Sequence, residues 1–283
     1  QWVEENAPLT FEEIKVRVKE GRWVIVGGWW IQPDCNIPCG ESFVRHSLYS
    51  QRYFQEKFGV MAKVGYNVDS FGHNGMLPQI LKKSGLNYYV FMRPGEYEKQ
   101  LPGNLFWWES PDKSRVLAYR IPFHYGTGYD GVDVVEQDLN QYGNKFKDDS
   151  QHMLFYGVGN HGGGPTISNL LEIRELQEKS SDNMIIHSSP DQFFDSLDLS
   201  DQTVPVVKDD LQHHASGCYS TTSIIKKMNR MAEHRLMNAE KYMTLSNRLA
   251  DYPYAGETIQ KAWQNVLFNQ FHDILPGSCT ADA

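Results

Sequence analysis

Apolar runs with a period of two alternate with stretches of period 3.6 from residue 10 to about 200 of the chain. Trp23 to Gly28, Val60 to Tyr66, Tyr88 to Met92, Leu105 to Trp108, Val116 to Pro122, His152 to Gly157 and Met184 to His187 read as strands. Between them the spacing predicts a helix from Thr10 to Gly21, opened by a capping box of Thr10 and Glu13. A second helix runs from Glu41 to Phe58 with Val44, Leu48, Phe54 and Phe58 as its apolar face, and a third from Leu77 to Gly85. Others begin near Val134 and span Ser168 to Lys179 and Asp191 to Leu197; Trp2 to Glu5 is also helical in character. Strand, helix, strand, helix implies an α/β fold on a parallel sheet, open or closed into a barrel.

The pattern changes after Leu199. A polar linker, LSDQTVPVVKDD, leads into a stretch without further strand alternation. Two long helices are predicted there. Ser223 to Asp251 carries Met228, Ala232, Leu236, Ala239, Met243 and Leu249 on one stripe, and Glu257 to Phe271 carries Ile259, Trp263, Val266, Leu267 and Phe271. Helices of this kind pack as a bundle, so the expected domains are an α/β domain over 1–205 and a linker with helical-bundle domain over 206–283. The chain opens on Gln1 within a helical stretch and stops at Ala283 after a turn signal, which reads as a piece cut from a longer protein.

Composition narrows the functional classes. With 283 residues, 40% hydrophobic and 22% charged, the chain can bury a sizeable core, which excludes disorder and collagen. A net charge of -8 argues against nucleic acid or an anionic membrane surface as the main partner, since both require a basic face. A neutral substrate fits better, and a homo-oligomer is compatible with the sequence. The 4 cysteines are too sparse for a disulfide framework and lack paired zinc spacing, there is no glycosylation sequon, and no apolar run is long enough to span a bilayer. These features suit a reduced, cytoplasmic setting.

In parallel α/β folds the reactive groups collect on loops after the carboxyl ends of strands. Those loops here hold Trp29, Trp30, Asp34 and Glu41; Asp69, Phe71 and His73; Arg93; and the run Gly159-Asn160-His161-Gly162-Gly163-Gly164-Pro165. The second region adds Phe271-His272-Asp273 ahead of Pro276-Gly277. Each has an ordinary structural reading. Asp69 serves equally well as a helix cap, His73 as a hydrogen-bonding core residue, Arg93 as a salt-bridged strand end, and His272-Asp273 as a dipole-complementing helix end. The glycine run lacks both phosphate-binding spacings, so it reads as a tight loop that lets a substrate approach the backbone. One of the consecutive Trp29 and Trp30 rings must face away from the other, leaving one to stack on a sugar. Together, a carboxylate, an imidazole, an arginine and aromatic platforms suggest a metal-assisted hydrolase acting on a neutral, ring-shaped substrate.

At these residues the sequence resembles the retaining α-mannosidases of glycoside hydrolase family 38. The matching segments are GGWWIQPDCNIPCGES (27–42), NVDSFGHNGMLPQILKKSG (67–85), GNHGGGPT (159–166), HHASGCYSTTSIIKKMNR (213–230) and FNQFHDILPGS (268–278), in the family's order. The resemblance implies a seven-stranded parallel β/α barrel followed by a three-helix bundle. It implies Asp69 as nucleophile and zinc ligand, His272 as a second ligand, and Asp273 as a partner of sugar hydroxyls. Phe71 would lie against the sugar and Arg93 would orient the nucleophile or the zinc-bound hydroxyls, with Trp30 as a further substrate-binding residue and Asp34 and Glu41 as lesser candidates for substrate binding or proton transfer. The family's His-x-Asp pair, which supplies two more zinc ligands on the first barrel strand, is expected upstream of Gln1. The acid/base group falls to the glycine-rich loop, where Asn160 stands in place of an Asp carried by many relatives and His161 can titrate near neutral pH.

The substrate class implied is an α-mannoside from mannosyl-oligosaccharides or trimmed N-glycans, cleaved with retention through a covalent mannosyl-enzyme. The loop and the cysteine usage resemble the bacterial and cytosolic branch. A polysaccharide deacetylase on an α/β barrel is the rival enzyme, but its His-x-x-x-His ligand pair is not in the sequence. A rival of another class is a carbohydrate-binding remnant that keeps sugar-facing residues without zinc.

Overall fold

The computed structural model describes residues 1–127, 134–146, 151–159, 163–180, 185–200 and 203–280. Helix α1 (Trp2–Asn6) runs into α2 (Pro8–Lys19), whose first turn holds Pro8, a position where the missing N–H has no helical partner to lose. The expected Thr10/Glu13 capping box does not form, because Pro8 starts the helix ahead of Thr10. Helix α3 (Gly40–Phe58) ends at Gly59, whose φ of 72° only glycine adopts without strain and whose N–H donates to the Gln55 carbonyl. Its buried face differs from the expected one. Val44 and Leu48 are 47% and 45% exposed, whereas Phe43, His46, Ser47, Ser50 and Gln51 face inward. The inward stripe carries polar groups, several of which find fixed partners: the Gln51 amide, for example, exchanges two hydrogen bonds with the Ala62 backbone.

Five strands form one sheet in the order β1-β2-β4-β3-β5: β1 (Val64–Asn67), β2 (Tyr88–Phe91), β3 (Leu105–Glu109), β4 (Arg115–Arg120) and β5 (Val206–Val207). Helix α4 (Leu77–Lys83) connects β1 to β2, which pair in parallel. The expectation of a wholly parallel sheet is corrected at β3 and β4, which are antiparallel. The segment between them, Ser110 to Ser114, is too short for a crossover and closes as a hairpin, with the Asp112 carboxylate accepting from the Ser114 N–H. β5 lies inside the stretch expected to be linker and pairs in parallel with β3, so the sheet is mixed. Alternate side chains of β2, β3 and β4 fill the core with Tyr89, Phe91, Phe106, Trp108, Val116 and Ala118, and α4 adds Leu77 and Leu81.

Three other expected strands are not ladder strands among the described residues. Trp23 to Gly28 is extended enough for the Gly27 N–H to donate to Val64, but Gly27 and Gly28 turn to φ of 96° and 65° and end the run. His152 to Gly157 and the described part of Met184 to His187 carry no strand assignment. The chain divides into two compact units, one of residues 1–119 and 205–283, the other of 120–204. The second unit holds α5 (Val134–Lys145), α6 (Ile167–Lys179) and α7 (Pro190–Ser196), with α6 opened by a Thr166/Asn169 capping box.

In the first unit, α8 (Ser223–Ala250) packs on α9 (Gly256–Phe268). The stripe expected to bury α8 is partly open to solvent, with Met228 62% and Leu249 83% exposed; the buried residue of α8 is Glu233. Two helices therefore pack here, and a complete bundle is not formed by the described residues. α9 stops at Phe268, short of the expected end at Phe271, so Phe271 and His272 sit in the irregular segment that follows.

Candidate active site

Asp69 follows β1, and its side chain is one-quarter exposed (25%). It does not cap a helix, since α4 begins only at Leu77 with Met76 as its N-cap. Arg93, just past β2, donates from Nε to Asp69 Oδ1 at 2.6 Å. Two further contacts fix the arginine. Its carbonyl accepts from Nε2 of the buried His73 at 2.8 Å, and its Nη1 lies 2.9 Å from His214 Nε2. His73 in turn accepts at Nδ1 from the Tyr89 hydroxyl. Burial lowers the His73 pKa to about 4, so the ring is neutral and keeps both bonds at ordinary pH. His73 is thus the core hydrogen-bonding residue of the structural reading, and its bond to the Arg93 carbonyl places it behind the site.

His272 reaches the same place from the other end of the sequence. Pro33 forms an isolated antiparallel bridge with Phe271, the Asp34 N–H donates to the Gln270 carbonyl, and the His272 N–H donates to the Gln32 carbonyl. That seam brings the segment after α9 onto the loop ahead of α3. The His272 Nδ1 also lies 3.0 Å from the Gln32 oxygen. A carbonyl only accepts, so Nδ1 donates to it, and Nε2 faces Asp69 Oδ2 at 4.0 Å and Asp273 Oδ2 at 3.9 Å, its lone pair directed there in the neutral tautomer. Phe71 closes the group edge-on, with its ring 5.8 Å from His214 and 6.4 Å from His272.

The register of the seam rests on a buried polar cluster. Glu233 Oε1 accepts from the Cys39 N–H, the Ser42 hydroxyl and the Gln270 amide, while its Oε2 takes Arg230. The Gln270 oxygen accepts from His46 Nε2 at 3.1 Å. Burial drives the His46 pKa down to about 3, so this ring too is neutral. Gln270 is thereby held from α3 and α8 together, close in sequence to His272.

The remaining expected residues divide. Asp34 is fully buried; its Oδ1 accepts from the Asn36 and Ile37 N–H groups and its Oδ2 has no hydrogen-bond partner among the described residues. Burial raises its pKa against the lowering effect of those two backbone bonds. Trp29 is the core member of the tryptophan pair, and Trp30 leans edge-on against Tyr49 of α3. Glu41 is tied to Arg45 on α3 and makes no contact with the group around Asp69 among those described. Cys35 is buried with its thiol pushed up to about 12, which leaves it unreactive. Asn160 and His161, the expected acid/base positions, lie outside the described residues. Sequence reasoning missed His214 and Glu98, although His214 lies within the matching segment 213–230. Nothing in that segment's spacing distinguishes a histidine bonded to Arg93 from one on the surface.

Among the described residues no group of three or more His, Cys, Asp or Glu side chains is placed to hold a metal ion. The pair Asp69 and His272 does have the donor chemistry for part of a zinc site. One offers a carboxylate oxygen, and the other an imidazole whose opposite nitrogen is fixed by a carbonyl, the usual support of a metal-binding histidine.

Residues 1–216 match the glycosyl hydrolases family 38 N-terminal domain, and residues 213–283 match the alpha mannosidase middle domain. The chain is 34% identical to alpha-mannosidase G of Dictyostelium discoideum, over 98% of this chain and 26% of that protein. It is 33% identical to alpha-mannosidase 2C1 of Homo sapiens, over 99% of this chain and 27% of that protein. The chain thus spans about a quarter of the length of the curated relatives it matches. Among solved structures, an alpha-mannosidase from Enterococcus faecalis superposes with a TM-score of 0.83 at 21% identity, over 99% of this chain and 33% of that one. A 4-alpha-glucanotransferase from Thermococcus litoralis superposes with a TM-score of 0.57 at 14% identity, over 93% of this chain and 45% of that one, and both likenesses concern the fold alone. With a family match running over residues 1–216 and an adjoining one to the chain's end, the chain belongs to glycosyl hydrolase family 38.

Proposed function

We propose that this chain is the catalytic segment of a retaining α-mannosidase that removes α-linked mannose from mannosyl-oligosaccharides or N-glycan fragments. The observation that carries the reading is the Asp69 carboxylate, held at one oxygen by Arg93 and facing the lone pair of His272 with the other. A carboxylate fixed in this way is pre-aimed for in-line attack on an anomeric carbon. Arg93 holds its orientation, Phe71 offers an apolar ring face to the sugar, and Asp273 accepts from sugar hydroxyls. Retention follows from two displacements, with a mannosyl ester on Asp69 between them. The acid/base group is assigned to the 159–165 loop on the resemblance of that loop alone.

Zinc belongs to the same proposal. Asp69 and His272 would supply two ligands, and the others come from outside the described residues. When bound, zinc would polarise and orient vicinal sugar hydroxyls. The finer architecture is also part of it: the α/β region as most of a seven-stranded barrel whose sheet is mixed rather than wholly parallel, and the helices from Ser223 onward as part of a three-helix bundle.

The test is Asp69→Asn in the full-length protein, assayed on an aryl α-mannoside. The reading expects turnover by the unchanged protein and a loss of about a thousandfold or more in kcat for the variant, because the amide keeps the shape but not the nucleophile. A variant that keeps its rate, or an unchanged protein that binds mannosides without turning them over, would sink it.

A further inference from the structure

Glu98 and His214 lie outside every role assigned above, yet they complete a line of hydrogen bonds that ends on Asp69. The turn after Arg93 is closed by the Glu98 N–H on the Gly95 carbonyl and by the Gly95 N–H on Glu98 Oε2 at 2.7 Å. The other carboxylate oxygen, Oε1, sits 2.7 Å from His214 Nδ1. His214 Nε2 then meets Arg93 Nη1 at 2.9 Å, and Arg93 Nε reaches Asp69 Oδ1. His214 is itself anchored, since its N–H donates to the Phe71 carbonyl.

The chemistry of the two ends leaves one proton arrangement. A guanidinium only donates, so His214 must accept at Nε2; a carboxylate only accepts, so His214 must donate from Nδ1. Glu98 therefore selects the tautomer that lets His214 accept from Arg93. Arg93 thus has Nη1 engaged by His214 as well as Nε by Asp69 and cannot rotate without losing a charge-assisted bond.

We propose that Glu98 and His214 are positioning residues that act through Arg93 to fix the Asp69 carboxylate for attack. The proposal rests on the mannosidase reading for its kinetic consequence but not for its geometry, and the experiment separates the two. His214→Phe, His214→Gln and Glu98→Gln are made in the full-length protein and followed by kcat and KM on an aryl α-mannoside and by crystal structures. Phenylalanine keeps the ring and removes the acceptor; glutamine removes the ring and restores an acceptor near Nε2. In Glu98→Gln a single amide oxygen replaces two acceptors, so one of the Gly95 and His214 bonds is lost.

The expected result is a fall in kcat of about ten- to a hundredfold for His214→Phe and Glu98→Gln with little change in KM, and substantial recovery in His214→Gln. In the crystals Arg93 leaves Asp69 Oδ1 in His214→Phe and stays on it in His214→Gln. A His214→Phe protein more active than His214→Gln would mean that packing is the role, and Arg93 unmoved in both His214→Phe and Glu98→Gln would equally overturn the proposal. If the unchanged protein cleaves no α-mannoside, the mannosidase reading fails while the crystal comparison still decides the positioning role.

Discussion

At the scale of single residues, the site depends on which atom of each side chain is already committed. His272 illustrates this, because a backbone oxygen, that of Gln32, takes its Nδ1 proton and so turns Nε2 into an acceptor or ligand. No side chain needs to be conserved in type at Gln32 for this to hold; only the path of the backbone matters. The lone pair faces Asp69 Oδ2 across 4.0 Å, too long for a hydrogen bond and open to a shared cation. His272→Ala in the full-length protein is therefore expected to weaken zinc binding by about a hundredfold or more, read as metal content after dialysis against a chelator. Zinc retained at the level of the unchanged protein would remove His272 from the ligand set.

Between elements, the weight falls on Glu233, a charged residue at the centre of an interface where the pattern of the sequence calls for an apolar one. Its carboxylate ties the start of α3 to α8 and to Gln270 through groups that are buried or partly buried. Glu233→Ala leaves the Cys39 N–H and the Ser42 hydroxyl each short of an acceptor, while the Gln270 amide keeps Asn229 and Ser42, and is expected to cost roughly 3–5 kcal/mol of unfolding free energy. Glu240→Ala is the contrast. Glu240 pairs with both Arg45 nitrogens at 2.9 and 2.7 Å, but Arg45 keeps Glu41 and its place over the Trp263 ring. Its loss is expected to cost about 1 kcal/mol. Urea unfolding of both variants in parallel checks the ordering, and equal costs would show that burial of the Glu233 cluster is not what secures the interface. The same cluster shows where the sequence was readable. Periodicity located α3, α6, α8 and β1 to β4 within a few residues, because those signals are local. It misread the buried face of α3 and the stripe of α8, because partners distant in sequence draw polar side chains inward there, as Ala62 does for Gln51 and Cys39 for Glu233. It also gave β3 and β4 the wrong relative direction, although the five residues Ser110 to Ser114 between them already ruled out a crossover. Asp69, Arg93 and His272 stood out as motif residues, whereas Glu98 and His214 gain their meaning only from contact with Arg93.

For the whole molecule, two buried histidines, His46 and His73, make stability a function of pH above the range in which the charge-paired carboxylates act. The folded-state pKa of His46 is about 3 and that of His73 about 4, both set by burial, against an ordinary value of 6.5 in the unfolded chain. Both lie in the unit of residues 1–119 and 205–283, one behind Arg93 and the other on Gln270. As pH falls below 6.5 the unfolded chain takes up protons that the folded state refuses, so the unfolding free energy must fall with pH. The stability is fully present above the unfolded pKa and drains away down to the folded values. From pH 7 to pH 5 each histidine accounts for a loss of roughly 2 kcal/mol. The carboxylates held below their usual range by lysine, arginine or hydroxyl partners, Glu4, Glu109, Asp112, Asp198 and Asp209, start from ordinary values of 4.5 or 3.8 and act only at lower pH. Urea midpoints at pH 7, 6 and 5 therefore follow the histidine contribution, opposed in sign by Asp34 and Asp138, whose carboxyls burial raises. His46→Gln, which keeps a donor for the Gln270 oxygen while removing the titrating ring, is expected to lose about half of the dependence. A midpoint that stays constant from pH 7 to 5, or a His46→Gln protein with the full slope, would mean that these rings are charged or hydrated in the folded protein and that the positions behind Arg93 and Gln270 are not the dry ones described.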